Sequence, residues 1–475
     1  MLRRVLCLLP VFALLIAPAS AAAPYRGYTY NAWGEAVAAP IGYTPATIHS
    51  GADIGCGPLD SPSDIALDGD GSFYIADTGN DRIVVADREF SLLRVIECGL
   101  NSPTGVFAAA DGSVYIADAE NNRVVKCDAY GNVEKEYFRP QSELIPASLS
   151  FKPHKVLCDY NGDVYVLVQG FYMGAFCFDK DGEFQGFFAN NTVPITARLL
   201  TDRLFQAFMT DEQKSRMTRN IPSDFSNFTI DGDGFIYTCS SARITEGPYG
   251  KLKKINYAGI NIYRSAKSVA WGNGNFGDIW AYWYRGTLIQ TSFCDIAVDD
   301  DGFVYGLDAT RGRVFQYDSA SNLTFVFGGI GDRAGCFTSP SAIAVSGSNV
   351  YVLDSGNGTI TKFIPTEYGA MARQAAVLYN DGMYVESIGL WQEVLRSCAN
   401  CELAYVGLGK AYLQLDRYNE ALENFEKGND VVGRSVAFEG YRSRWISDNI
   451  WMLPVLAIAV AAIIVLRGVR RRRAQ

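Results

Sequence analysis

Histidine is nearly missing from this chain: His49 and His154 are the only two. A catalytic zinc held by three histidines is therefore excluded, and a two-histidine site would need both of them. Positive charge is also scarce, with a formal net charge of −9 in spite of an arginine-rich C-terminus, so no basic face for nucleic acid is expected. Charged residues make up only 20% and aromatics 13% of the chain, which suits an exported globular body. Long apolar runs are confined to the two ends. No acidic stretch has the complete ligand spacing of a calcium loop. Cys398-x-x-Cys401 lacks the βαβ surroundings of a thioredoxin-like centre.

What the chain does have is a repeat. Ser61-Pro62-Ser63-Asp64-Ile65-Ala66-Leu67-Asp68-Gly69-Asp70-Gly71 runs into Phe73-Tyr74-Ile75-Ala76-Asp77 and then Asn80 and Arg82-Ile83-Val84. Pro103, Asp111-Gly112, Tyr115-Ile116-Ala117-Asp118, Asn121 and Arg123-Val124 restate it about 41 residues on. A period of roughly 40 to 50 residues with short alternating strands is that of propeller blades, each a four-stranded sheet around a central channel. A tyrosine after an acidic-glycine turn marks six copies: Tyr74, Tyr115, Tyr165, Tyr237, Tyr305 and Tyr351. Each copy reads as a hairpin, then a third strand beginning at Arg82, Arg123 or Arg313 and ending in a turn at Asp87, Asp128, Asp179 or Asp318.

The Pro-x-x-Ile-Ala-x-Asp and Tyr-x-Ala-Asp-x-x-Asn-x-Arg-Ile patterns, with Phe327-Gly328-Gly329 and Gly335-Cys336-Phe337 ahead of the last copy, resemble the NHL-repeat family of six-bladed propellers. The resemblance covers roughly residues 61–363. The third copy has Val168 in place of the aspartate, and the fourth keeps little beyond Asp231 to Tyr237. The expected fold class is an all-β six-bladed propeller, NHL-like, with a small C-terminal α-helical domain and one transmembrane helix. Six-bladed propellers of related architecture include lactonases and lyases with channel metals, but architecture alone does not license that activity.

The ends suggest export and anchoring. Arg3 and Arg4, an apolar run from Val5 to Ala17 and Ala19-Ser20-Ala21 read as a signal peptide over 1–23. From Ile450 to Leu466 the chain is uncharged and apolar, about 25 Å as a helix against a ~30 Å hydrocarbon core. Trp445 and Trp451 suit one interface, and Arg467 with Arg470 to Arg473 suits a cytoplasmic side. The expected division is a propeller over 24–365, a helical unit and membrane-proximal segment over 366–447, a transmembrane helix over 448–468 and a basic tail over 469–475. The body then lies outside the cytoplasm at the cell membrane, where ten cysteines could pair.

Residues 28–38, which alternate through Tyr28, Tyr30 and Trp33, need a sheet to join. The last blade has room for one strand, so this segment is expected to fill it and close the ring. Two insertions lengthen the middle blades. Residues 195–220 space Leu199, Leu200, Leu204, Phe205 and Phe208 as an amphipathic helix. Residues 265–290 carry Trp271, Trp280, Tyr282, Trp283 and Tyr284, which either pack between blades or stack on a ligand. After the propeller, Tyr384 and Tyr418 stand 34 residues apart, and Leu408-Gly409-x-x-Tyr412 with Tyr418-x-x-Ala421-Leu422 resembles the tetratricopeptide (TPR) repeat family.

Asp68-Gly69-Asp70-Gly71, Asp231-Gly232-Asp233-Gly234 and Asp299-Asp300-Asp301-Gly302 occupy equivalent places, where aspartate and glycine serve turns, so they read as turns in preference to calcium sites. Asp77 with Arg82, Asp118 with Arg123 and Asp308 with Arg313 read as recurring blade-to-loop pairs. The expected role is binding and scaffolding: the propeller takes an extracellular glycan, polymer or protein, the helical repeats take a protein partner, and the C-terminal helix takes the membrane. No cofactor is assigned and no catalytic residue stands out. An exported hydrolase or lyase with a divalent metal in the channel is the main alternative, and a structural envelope subunit is another.

Overall fold

The computed structural model describes residues 25–171, 173–189, 225–241, 251–263, 276–284 and 286–473. The signal segment, the insertion at 195–220 and Trp271 lie outside them. Six sheets form the blades of a propeller, the first five running in chain order from the inner strand outward and the last taking its outer strand from the start of the chain. The fourth blade has three described strands, Asn227–Ile230, Ile236–Cys239 and Leu252–Ile255, and the others have four. Each marker tyrosine sits in the second strand of its blade, between the first and third strands in register.

The acidic turns are built by hydrogen bonding. Asp68 Oδ1 accepts the backbone N–H groups of Asp70 and Ser72 at 3.0 and 2.8 Å, and its Oδ2 accepts the Tyr74 hydroxyl at 3.3 Å. Asp159, Asp231 and Asp299 repeat the arrangement with Tyr165, Tyr237 and Tyr305. Asp87, Asp128, Asp179 and Asp318 close the second turn of their blades in the same way. Their oxygens are committed to the fold, which is why these residues recur.

The first strands surround the axis, each packed against the first strand of the next blade. One side chain per blade ties the ring together. Ser63 donates to Thr104 O at 3.0 Å, Thr104 to Pro153 O at 3.1 Å, and His154 Nε2 to Ser226 O at 3.1 Å. Ser226 donates to Phe293 O at 2.7 Å, Cys294 to Pro340 O at 3.7 Å, and Ser341 to Pro62 O at 3.0 Å, which completes the circle. These six side chains stand at one position of the repeat, immediately before the innermost residue. His154 is thus the third blade's member of a structural girdle.

In three blades the next position carries charge, as Asp64, Lys155 and Asp295. Asp64 Oδ2 accepts the N–H of Val106 at 2.8 Å and Asp295 Oδ2 that of Ile343 at 2.7 Å, so each clamps its blade to the following one. Lys155 reaches from the third blade to Asp64 Oδ1 at 2.5 Å. Burial works against the Lys155 ammonium, but Asp64 and Asp295 outweigh it and hold its pKa above the usual lysine range. Burial pushes Asp295 up to about 7, Lys155 offsetting part of that push and the Asp64 charge adding to it.

Closure of the ring differs from the sequence expectation. The strand that completes the last blade is Tyr43–Ser50, paired from Thr359↔Ser50 to Pro365↔Tyr43. Tyr28–Tyr30 instead pairs with Ala36–Ala38 as a separate hairpin. Asn31 Oδ1 accepts the N–H groups of Trp33 and Glu35 at 3.0 and 2.9 Å, and Gly34 takes a left-handed φ of 75°, so this segment closes on itself locally. Residues 43–50 escape recognition because Pro45 interrupts them. An outermost strand tolerates that proline, here opposite a bulge between Lys362 and Phe363.

Helices Glu367–Asn380, Tyr384–Ser397, Glu402–Gln414, Tyr418–Lys427 and Val431–Asp448 follow, each packed on the next. Their core of Ala375, Ile388, Trp391, Val394, Leu408, Tyr412 and Phe425 is continuous with that of the last two blades. Gly409 is needed at its place, because a Cβ there would stand 2.7 Å from the Phe425 ring. Among the described residues no single helix is long and apolar enough to cross a membrane. Helix Met452–Arg473 meets Arg467 before completing a span, and it forms a pair with Val431–Asp448 bent by 62° that together has the necessary length and composition.

Candidate functional site

The aspartate that ends the second strand of four blades shows where the repeat is altered. In the first two blades this carboxylate is saturated: Asp77 Oδ2 accepts from Arg82 Nε at 2.8 Å and Asn80 at 2.9 Å, and Asp118 Oδ2 from Arg123 Nε at 2.7 Å and Asn121 at 2.8 Å. Asp354 keeps the asparagine contact, from Asn357 at 2.8 Å. The fifth blade breaks the pattern. Arg311 stands where the others have asparagine, and Arg313 points away from Asp308 to Asp278, at 2.8 Å. The expected Asp308–Arg313 pair is therefore corrected. Asp308 Oδ2 has no partner among the described residues, and burial pushes the carboxyl up to about 6.

Asp278 is what draws the arginines off. The insertion before the fifth blade delivers it, fixed by donation from Gly277 N to the Tyr317 hydroxyl at 2.6 Å and from Asp278 N to Thr291 Oγ1 at 2.8 Å. Its carboxylate accepts from Tyr28 at 2.5 Å, Tyr30 at 2.9 Å, Arg313 and Arg311. The N-terminal hairpin is thus tied to the fifth blade through two tyrosines. Beside this hub Lys251 donates to Thr291 O at 2.5 Å, and burial pulls its ammonium down to about 8. Two nitrogens of the Arg311 guanidinium, Nε and Nη2, are buried with no hydrogen-bond partner among the described residues.

Aromatic rings cover this charged hub. Tyr282 lies over Arg311, its ring centroid 4.8 Å from the guanidinium carbon. Trp280 Nε1 donates to Gly34 O at 2.8 Å, which brings the tip of the N-terminal hairpin against the insertion. Trp33, Trp280, Tyr282 and Trp283 remain 63, 57, 52 and 73% exposed. Three of the five aromatics expected as ligand contacts, Trp280, Tyr282 and Trp283, are thus exposed on the insertion, with Tyr282 and Trp283 on opposite faces of their strand. The strand Tyr282–Tyr284 also includes Tyr284, and Trp271 lies outside the described residues. Sequence reading missed Trp33, Asp278 and Arg311. Only Arg311 carried a signal, by replacing the repeat's asparagine.

Elsewhere, a cavity of about 320 Å³ opens between the third and fourth blades, walled by His154, Leu167, Gln169, Phe171, Phe225 and Ser226. Among the described residues no group of three or more His, Cys, Asp or Glu side chains is arranged to hold a metal ion. In the channel Asp64 is paired with the Lys155 ammonium, which also acts on Asp295, so that donor set does not fit a divalent cation.

The family model for the NHL repeat matches residues 59–86 and 100–127, the first two blades. The chain carries NHL repeats. The loops matched include Asp77, Asn80, Arg82 and Asp118, Asn121, Arg123, the two in which the carboxylate is fully paired. No curated protein matches the chain. Among solved structures it is similar to a streptogramin B lyase, with 14% identity, a TM-score of 0.40, and 72% of this chain and 91% of that one covered. A virginiamycin B lyase from Staphylococcus aureus matches at 13% identity and a TM-score of 0.40, covering 65% of this chain and 96% of that one. At these scores the likenesses carry no argument about activity.

Proposed function

We propose that this NHL-repeat protein is an exported, membrane-anchored binding protein whose propeller recognises an extracellular glycan through the exposed aromatics Trp33, Trp280, Tyr282 and Trp283. The observation that carries the reading is the density of exposed aromatic rings on the insertion and the hairpin tip beside it, Trp280 bonded to Gly34 O and Tyr282 backed by the Arg311 guanidinium. Flat aromatic faces stack on sugar rings. The helices from Tyr384 to Asp448 serve as a TPR-like unit for a protein partner, with Gly409 permitting the close helix packing that such repeats use. The bent helix pair ending in Arg467 and Arg470 anchors the chain, its apolar residues from Leu453 to Leu466 being exposed along the helix. The N-terminal apolar run directs export.

The test is a thermal-shift and calorimetric screen of the full chain in detergent against acidic and neutral oligosaccharides, with Trp283→Ala and Trp280→Ala as controls. A ligand at ~100 times its dissociation constant adds about 2.7 kcal/mol, a readable shift. Loss of one stacking aromatic is expected to cost about 2 kcal/mol, some 30-fold in affinity. Binding that survives both substitutions, or no saccharide response at all, overturns the reading.

A further inference from the structure

We propose that Cys398 and Cys401 form a reversible dithiol–disulfide centre whose exchange partner is an external disulfide. The two residues share one tight turn between helices Tyr384–Ser397 and Glu402–Gln414. Cys398 N donates back to Val394 O at 2.9 Å as the first helix ends, and Cys401 N donates to Cys398 O at 3.1 Å. Such a turn keeps its end Cα atoms within about 7 Å, overlapping the range of about 4.4–6.8 Å in which a disulfide closes without backbone movement.

The two sulfurs are not equivalent. The neighbouring Cys401 thiol, opposed by burial, holds the Cys398 thiol below the ordinary thiol range. The Tyr368 hydroxyl donates to Cys401 Sγ at 3.6 Å. Cys398 is partly exposed at the turn. Cys401 is partly exposed as well, so both sulfurs of the turn are accessible to exchange, one ionising first to attack and the other resolving. The Tyr368 ring also packs edge-on against Phe325 of the fifth blade, at 5.9 Å, which places the centre beside the seam between helices and propeller.

The Cys398 thiolate attacks one sulfur of the external disulfide, forms a mixed disulfide and releases one thiolate. Cys401 then gives up its proton and attacks the Cys398 sulfur, releasing the second. Two protein thiols are oxidised, one external disulfide is reduced to two thiols, and the protons pass to those products.

The experiment equilibrates the full chain in detergent with graded ratios of reduced and oxidised glutathione, followed by acid quenching, alkylation and peptide mapping. The peptide bearing both residues is expected to pass between a doubly alkylated and an internally linked form, reversibly. Mapping separates it from Cys98 and Cys127, whose sulfurs lie 3.9 Å apart. Cys401→Ser is expected to accumulate glutathione on Cys398, and Cys398→Ser to accumulate none on Cys401. The alkylation rate of Cys398 is expected to level off well below pH 8.5, the ordinary thiol value. Independent alkylation of both residues at every ratio overturns the proposal, as does a mixed disulfide on Cys401 alone or an unshifted pH profile.

Discussion

Arg373 Nη1 donates to Asp299 Oδ2 at 2.7 Å, and through that contact the helical unit is locked to the propeller. The same guanidinium donates to the Tyr305 hydroxyl at 2.6 Å and to Asp301 Oδ2 at 2.8 Å, and it lies over the Phe303 ring. Tyr305 in turn meets Tyr43 of the closing strand at 3.2 Å, and Gln316 donates to both hydroxyls. One buried network therefore joins the closing strand, the fifth blade and the first helix after the propeller. The acidic turn Asp299 to Asp301, which at first sight invites a cation, has an arginine as its cation.

Arg373→Met is predicted to destabilise the chain by about 3–5 kcal/mol, because it leaves the Asp299 charge buried and unpaired. Chemical denaturation followed by circular dichroism would measure it. Arg373→Lys is expected to recover only part of the loss, since an ammonium cannot serve Asp299, Tyr305 and Asp301 from one plane. A loss under 1 kcal/mol for the methionine variant would show that the network is dispensable.

In the channel, Lys155→Met is predicted to cost a similar ~3–5 kcal/mol by stranding Asp64 and Asp295 without their cation. Adding Asp64→Asn should restore part of the stability, because the amide still accepts from Val106 while removing the charge. Equal melts for the single and double variants would count against the pairing.

Asp308 sets a pH dependence. Its folded-state pKa of about 6 lies above the ordinary 3.8, so the folded protein holds a proton that the unfolded chain has already lost. Stability from this group is complete below about pH 4 and falls as pH rises toward 6, by up to about 3 kcal/mol. Asp295, pushed up to about 7, acts with the same sign. Asp308→Asn is expected to match the parent near pH 4 and to melt higher near pH 8. Parallel pH profiles for the two proteins would refute this.

Two deletions separate closure from site-building. Removing residues 43–50 is predicted to abolish the cooperative melt, since the last blade loses its outer strand and Tyr43 leaves the core. Removing residues 25–38 should preserve a cooperative transition, lower in temperature, while freeing Asp278 from Tyr28 and Tyr30. Calorimetry distinguishes them, and a cooperative melt after the first deletion would contradict the observed pairing.

Much of the propeller was legible because its information is local. A blade's turn is specified by Asp68, Gly71 and Tyr74 within seven residues, and the same letters recur wherever the same hydrogen bonds must be made. The channel girdle of Ser63, Thr104, His154, Ser226, Cys294 and Ser341 was not legible, because its meaning needs the neighbouring blade's carbonyl. The closing strand was misplaced because local pairing of Tyr28 to Tyr30 with Ala36 to Ala38 won over a distant edge. The site was half legible: aromatic density pointed to Trp280, Tyr282 and Trp283, whereas Asp278 looked like any loop aspartate.

By itself the sequence determined the repeat, its turns and the change of period after Pro365, since each depends on backbone preferences and side-chain alternation over a few residues. Tertiary structure alone decided which strand closes the ring, that Arg373 reaches Asp299, and that Asp278 draws Arg311 and Arg313 from Asp308. Those contacts join residues tens to hundreds of positions apart, and their energy comes from burying charge beside charge, which no local pattern encodes.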